Sequence, residues 1–302
     1  MKNFFSIIFF SCMLFIFSCT VQKDSSGAFQ SVIEAEKSFA RLSAESGMRE
    51  AFLSYLAEEA IIFRPEPALG RDKYASSPII PGMLIWQPVF ADISRDGKLG
   101  YTTGPLELHT SGKIDSADAY GHYVSIWKQQ KDYSWKVVMN VGISHPYPGY
   151  NLNEVLLETE HPLYDLSKTL KKIPKSSPDI LLDLDRSFSD QAEGLGISKA
   201  FQTFAHPDLR LYRENALPLV GVEYALTYLT DLNGIYRWTP QAAEQASSAD
   251  LGYTFGMGEY RVETADNLQV ENFSYLHIWK IDFEGHWKVV LDLTNSIPSK
   301  VH

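Results

Sequence analysis

Cysteine is nearly missing from this chain: 302 residues contain two, Cys12 and Cys19, both close to the amino end. Everything beyond Cys19 is therefore without disulfides and must be held by its apolar core. The familiar signatures of catalysis are missing too. There is no H-E-x-x-H, no cysteine cluster, no G-x-S-x-G and no P-loop. The eight histidines are scattered, so neither a metal site nor a cofactor is expected. Positive charge is in short supply, with 27 Lys and Arg against 37 Asp and Glu and a net charge of −10. A nucleic-acid-binding surface needs a basic footprint, so nucleic acid is excluded as a partner. Long apolar runs are confined to Phe4 through Phe17, which is shorter than the roughly 20 residues a membrane span requires.

That one run has a use. Lys2 precedes it, and Ile16-Phe17-Ser18-Cys19 closes it, so residues 1–18 read as a secretory leader. An aliphatic residue three places before Cys, with Ser just before it, resembles the lipobox of bacterial lipoproteins. The resemblance implies cleavage before Cys19, lipidation of Cys19 and attachment to a membrane through that lipid. It places the body of the chain in the cell envelope, and Thr20 after the lipidated residue implies sorting to an outer membrane. Residues 19–27 are polar and read as a tether.

What is present in quantity is apolar and aromatic material, 45% and 13% of the chain, and it is written twice. "LGYTTGP" at 99–105 returns as "LGYTFGM" at 251–257, and "SWKVV" at 134–138 returns as "HWKVV" at 286–290. Ser38-Phe39 and Ala51-Phe52 find partners 149 positions later; Trp86, Leu99 and Trp135 find theirs 152 positions later. A duplicated domain of about 120 residues satisfies both offsets, with three residues gained near Gly70 and Gly221. The domains are set at 28–146 and 178–302, with 147–177 as a proline-bearing linker that has room for a short helix near 152–171.

Each copy opens with helical spacing. Phe29, Val32, Ile33 and Phe39 form one stripe, and Met48, Ala51, Phe52, Tyr55 and Leu56 form a second. Gly47 and Gly196 separate the two helices of each copy, where a left-handed cap is expected. Strand-like runs follow, "AIIFRP", "LGYTTGPLEL", "HYVSIWKQ" and "SWKVVMNVGI", with hairpin turns at "QQKDYS" and "DFEGH". Helices followed by a meander predict an α+β class. These strands are apolar on both sides, as expected of a sheet covered on both faces.

"EKSFARLSAESG", "AFLSYLAEEAIIFRP", Trp86-Gln87-Pro88, "LGYTTGP" and "GHYVSIWKQQKDYSWKVV" together resemble SnoaL-like domains of the nuclear transport factor 2-like superfamily, in particular a bacterial branch without assigned function. The resemblance covers nearly all of 28–146 and, more loosely, 178–298. It implies two tandem cone-shaped domains, each with helices packed on a curved antiparallel sheet and a pocket at the open end. Such domains pair through their sheets, so the two copies are expected to pair within the chain as an internal pseudo-dimer.

Arg64 shares a strand face with Ile62, as Arg213 does with Leu211, and an Arg on such a face can hold a carboxylate at a pocket mouth. It can equally cover core with its stem while its head stays in water. Tyr101 and Glu107 share parity on the next strand, matched by Tyr253 and Glu259, as pocket residues or as a solvated strand end. The positions the copies do not share are chemically the richest. His122 aligns with Ser274, Ser125 with His277, Asn140 with Asp292, and His145 with Ile297. His122 with Glu107 or Asn140 would be an acid–base site in the first cone, and Asp292 with His277 one in the second. Because the acids and bases of the copies do not match, at most one cone is expected to be catalytic.

The first reading is a lipid-anchored protein whose cone binds a small, partly apolar ligand. The pocket candidates are Arg64, Tyr101, Asn140, Arg213, Tyr253, Glu259 and Asp292. The alternatives are a cofactor-independent isomerase, cyclase or dehydratase in the first domain, with His122 and Glu107 as its candidate catalytic pair, and an envelope assembly module.

Overall fold

The computed structural model describes residues 25–78, 82–110, 117–157, 177–263 and 268–298. The leader, Cys19, the tether to residue 24 and linker residues 158–176 lie outside the described residues. Among those described, no helix is long and apolar enough to cross a membrane.

The first repeat runs α1 (Ser25–Ser46), α2 (Met48–Tyr55), β1 (Leu56–Phe63), β2 (Pro67–Leu69), α3 (Gly70–Ser76), β3 (Met83–Trp86), β4 (Phe90–Ile93), β5 (Leu99–His109), β6 (Ala119–Gln129) and β7 (Trp135–His145). A single 3-10 turn follows at Leu152–Glu154, and residues 158–171 of the short helix expected near 152–171 lie outside the described residues. The second repeat runs α4 (Pro178–Leu195), α5 (Ile197–Phe204), β8 (Ala205–Arg213), β9 (Leu219–Val220), α6 (Val222–Thr230), β10 (Ile235–Gln245), β11 (Leu251–Glu263), β12 (Leu268–Ile281) and β13 (Trp287–Ile297). The class is α+β, with two sheets that each carry their own helices.

The sheets are not wholly antiparallel. Their orders are β2-β1-β7-β6-β5-β3 with β4 also on β5, and β10-β11-β12-β13-β8-β9. In each repeat the first long strand pairs in parallel with the last, β1 with β7 and β8 with β13, a long-range contact that a strand-by-strand reading does not reveal. Gly47 and Gly196 do break the helix pairs, with φ of 89° and 91°. Their ψ values of 160° and 150° put them outside the left-handed helical region, in an extended region that essentially only glycine enters.

Gly104 and Gly256 show why the "LGYT-x-G" phrase is repeated. A Cβ on Gly104 would stand 2.0 Å from the Gln87 carbonyl oxygen, and one on Gly256 2.1 Å from that of Thr239. The Trp-x-Pro corners Trp86-Gln87-Pro88 and Trp238-Thr239-Pro240 therefore press directly onto the neighbouring strand. Gly104→Ala is expected to destabilise the chain by about 1–3 kcal/mol through overpacking. Gly194→Ala, on α4 with open space around it, should be neutral or stabilising by up to about 1 kcal/mol. Urea unfolding of the two variants checks the contrast.

Each sheet has two covered faces, which accounts for its two-sided apolar strands. One face meets its own helices: Val32, Phe39, Ile62, Tyr123 and Trp127 in the first repeat, Phe188, Phe201, Leu211, Tyr275 and Trp279 in the second. The other faces meet each other in one shared core that includes Val124, Ile126, Met139 and Val141 with Leu276, Ile278, Leu291 and Leu293. This intramolecular pairing has an approximate twofold relation. Asp92 pairs with Lys280 and Lys128 with Glu244, the same two positions with the repeats exchanged. Asp96 and its counterpart Ser248 bond to one another on that axis.

Candidate functional site

The polar centre of each cone is organised by an acid on its long helix. Glu36 of α1 lies on the stripe with Val32 and Phe39, and Asp185 of α4 lies on the equivalent stripe with Leu181 and Phe188; both acids are fully buried. They are counterparts at the 149 offset. Each accepts from the indole of the Trp-x-Pro corner: Trp86 Nε1 donates to Glu36 Oε1 at 2.5 Å, and Trp238 Nε1 to Asp185 Oδ1 at 2.7 Å. Sequence reasoning passed over both acids. The available signal was a carboxylate breaking an apolar stripe at the same place in both copies.

Around this common anchor the cones diverge. In the second, His277 of β12 sits between two carboxylates, Nδ1 2.9 Å from Asp185 and Nε2 2.8 Å from Asp292 of β13. Ionised carboxylates only accept, so both ring nitrogens carry protons and His277 is an imidazolium. Burial alone would lower the pKa of His277, but the Asp185 and Asp292 carboxylates reverse this and raise it to about 9. Arg213 of β8 bonds Asp292, and Tyr275 donates its hydroxyl to Asp185 at 2.9 Å. Burial pushes Asp292 up, while Arg213 and His277 more than offset it and hold its pKa below the usual value. Asp185, His277, Asp292 and Arg213 form an electroneutral ladder in which each charge has an opposite neighbour, although the buried Arg213 Nε makes no hydrogen bond.

The first cone has the same frame with the charges removed. Ser125 stands where the second has His277, and Asn140 where it has Asp292, with Asn140 Nδ2 donating to Ser125 Oγ at 3.1 Å. Glu36 accepts from Thr102 Oγ1 at 2.5 Å, Trp127 Nε1 at 2.8 Å and Trp86, and among the described residues it makes no ion pair. Burial raises its pKa, and hydrogen bonds from Thr102, Trp86, Trp127 and Ser125 only partly counter this. Arg64 repeats one backbone contact of Arg213, donating to Phe63 O at 2.8 Å as Arg213 donates to Tyr212 O at 2.9 Å. Its other terminal nitrogen donates to the Tyr74 hydroxyl at 2.7 Å. Among the described residues Arg64 makes no ion pair, and it is exposed where Arg213 is buried.

Two spaces meet at Arg64. A cavity of about 60 Å³ inside the first cone is lined by Trp86, Leu106, Tyr123 and Asn140 together with Arg64. A cleft of about 550 Å³ opens outside it, between Met48, Leu53, Ile62 and the Tyr74 ring, with Arg49, Lys73 and Glu50 at its edge. The Tyr123 hydroxyl is buried and has no hydrogen-bond partner. A buried polar atom left unbonded carries a desolvation cost that an entering polar group can relieve.

The remaining candidates lie elsewhere. Tyr101 and Tyr253 point away from their cones and line the seam between the two sheets, because alternation along β5 and β11 sends Thr102 and Thr254 inward instead. They are corrected from pocket to interface residues. His122 occupies the same outer face, its ring 5.9 Å from that of Tyr212 in the second repeat. His145 Nδ1 can only donate to the Pro146 carbonyl, at 2.7 Å, and its Nε2 shares a hydrogen bond with His122 Nδ1 at 2.8 Å. Burial, then His145 and Arg210, hold His122 down to about 3. Glu107 bonds His109 and the Leu152 amide, and Glu259 pairs with Arg261. The expected pair of His122 with Glu107 thus does not line the first cone, and His122 and Asn140 are on opposite faces of the sheet. Among the described residues no group of three or more His, Cys, Asp or Glu is placed to hold a metal ion.

No family model matches the sequence, and no curated protein matches it. Solved structures similar to one repeat's length of the chain are nuclear transport factor 2-like and ketosteroid isomerase-like proteins. An NTF2-like protein from Cytophaga hutchinsonii is 18% identical, with 40% of this chain and 99% of that one covered and a TM-score of 0.34. The CaMKII hub of S. rosetta is 12% identical over 41% of this chain and 100% of its own, with a TM-score of 0.34. A putative ketosteroid isomerase from Parabacteroides distasonis is 12% identical over 42% and 93%, with a TM-score of 0.32.

Proposed function

We propose that the first repeat is a binding site for a small, partly apolar molecule and that the second repeat is its structural partner. The observation that carries this reading is the meeting of cleft and cavity at Arg64, in the cone whose polar centre is left incomplete. The cleft, about 550 Å³, is within the range of small-molecule sites, and its walls combine apolar side chains with a few polar groups. The second cone has its equivalent groups bonded to one another, which favours a role in stability.

The chain would act at the cell envelope, held by a lipid on Cys19. Support for this comes from the leader and its Ile16-Phe17-Ser18-Cys19 ending alone. Cys19→Ser is expected to release the protein from the membrane fraction; unchanged membrane recovery would remove the lipid anchor from the account.

The binding reading is tested by incubating the mature chain with an organic extract of its own cells and identifying what co-elutes in gel filtration. The expected result is one enriched compound, lost from a Leu53→Trp variant that fills the cleft but keeps its circular dichroism. No enrichment, or equal enrichment by Leu53→Trp, would overturn the reading.

A further inference from the structure

The chain contains its own control for the first cone. Arg64 and Arg213 are counterparts, each rises from the equivalent strand, and each donates to the carbonyl of the residue before it. Arg213 is then neutralised from within by Asp292. The counterpart of Asp292 is Asn140, which is neutral and bonds Ser125. One exchange of carboxylate for amide therefore separates a closed ion pair from a guanidinium that turns outward to Tyr74.

A guanidinium facing a partly apolar cavity binds a carboxylate better than a neutral group, because its planar donors match two oxygens at once. Other groups point the same way. Arg49 and Lys73 line the same cleft against one acid, Glu50, in a chain whose net charge is −10. Tyr123, whose buried hydroxyl has no hydrogen-bond partner, lines the same cavity as Arg64. Met48, Leu53 and Ile62 supply an apolar wall for the rest of the molecule.

Resting on the binding role assigned above to the first repeat, we infer that its ligand is a small carboxylic acid in ionised form, whose carboxylate gives Arg64 the charge that Asp292 gives Arg213. The apolar body of the acid lies in the cleft, and its carboxylate meets the Arg64 guanidinium. Asn140 is the residue that sets this specificity, by declining to fill the position from inside.

Isothermal titration of the mature chain with octanoate and phenylacetate, against octanamide and phenylacetamide, tests the inference. The acids are expected to bind at one site per chain, at least tenfold tighter than their amides. Asn140→Asp, which copies the second repeat, should weaken the acids at least tenfold and the amides far less. Arg64→Gln provides an independent variant and should erase the preference for acid over amide. Equal binding of acid and amide, acid binding that survives Asn140→Asp, or no binding of either acid at millimolar concentration would overturn the inference. The outcomes separate it from the binding role itself. A neutral or cationic compound recovered from the cell extract, and lost with Leu53→Trp, would leave the role standing and refute the carboxylate.

Discussion

Asp292→Ala is expected to cost about 3–5 kcal/mol of folding stability, since it leaves Arg213 and the His277 imidazolium buried without their shared counter-charge. The double change His277→Ser with Asp292→Asn, which writes the first repeat's pair into the second, is expected to cost less than Asp292→Ala alone. The first cone shows why: Ser125 and Asn140 satisfy one another there without a buried charge between them. Equilibrium denaturation of both variants decides the point. A double variant less stable than Asp292→Ala would mean that the charges of the ladder stabilise the fold beyond their own mutual satisfaction.

The pH profile carries the second large effect. The pKa of His277 is raised from 6.5 to about 9 in the folded chain, so its contribution is complete below about 6.5 and is lost as pH rises through 9. The size of that loss is about 3 kcal/mol between pH 6 and pH 10, from 1.36 kcal/mol for each pH unit of displacement. Asp292 acts in the opposite direction: its lowered pKa gives stability that is present at neutral pH and lost on acidification. Unfolding free energies measured across this range should fall more steeply on the alkaline side for the natural chain than for the His277→Ser, Asp292→Asn chain. Parallel profiles would show that His277 is not held as an imidazolium.

Much of the architecture was legible in the sequence, because its determinants come as large or special residues in fixed pairs. Trp86 with Trp238, Trp127 with Trp279 and Gly104 with Gly256 occupy equivalent places, and Thr102 and Thr254 accept from the same indole in each copy. The faces of the strands were not legible. Alternation places Tyr101 and Leu106 on opposite faces of β5, but with both faces apolar it does not say which of them meets the cone and which the other sheet. The parallel pairs of β1 with β7 and β8 with β13 join segments about 80 residues apart and leave no local mark.

The site was legible in part. Arg64 and Asn140 stood out, one as a shared cation and the other as an unshared position, and the structure places them on one cavity. That Arg213 is spent on Asp292 while Arg64 is not depends on contacts across three strands, which no spacing rule contains. Glu36 and Asp185 were hidden by their helices. A single acid in a stripe looks like the edge of a polar face until the indoles that bind it are brought in from a corner about 50 residues away.

The central claim is that one cone is open to a small molecule and the other is closed by its own ion pairs. The six tryptophans provide probes in both, and their indole N–H signals can be followed by ¹H–¹⁵N NMR while the compound recovered from the cell extract is added. The account predicts that the Trp86 signal, from the wall of the first cavity, shifts to saturation with one equivalent while Trp238 and Trp279 stay in place. Movement of Trp238 with an unmoved Trp86, or saturation at two equivalents with both moving, would contradict it.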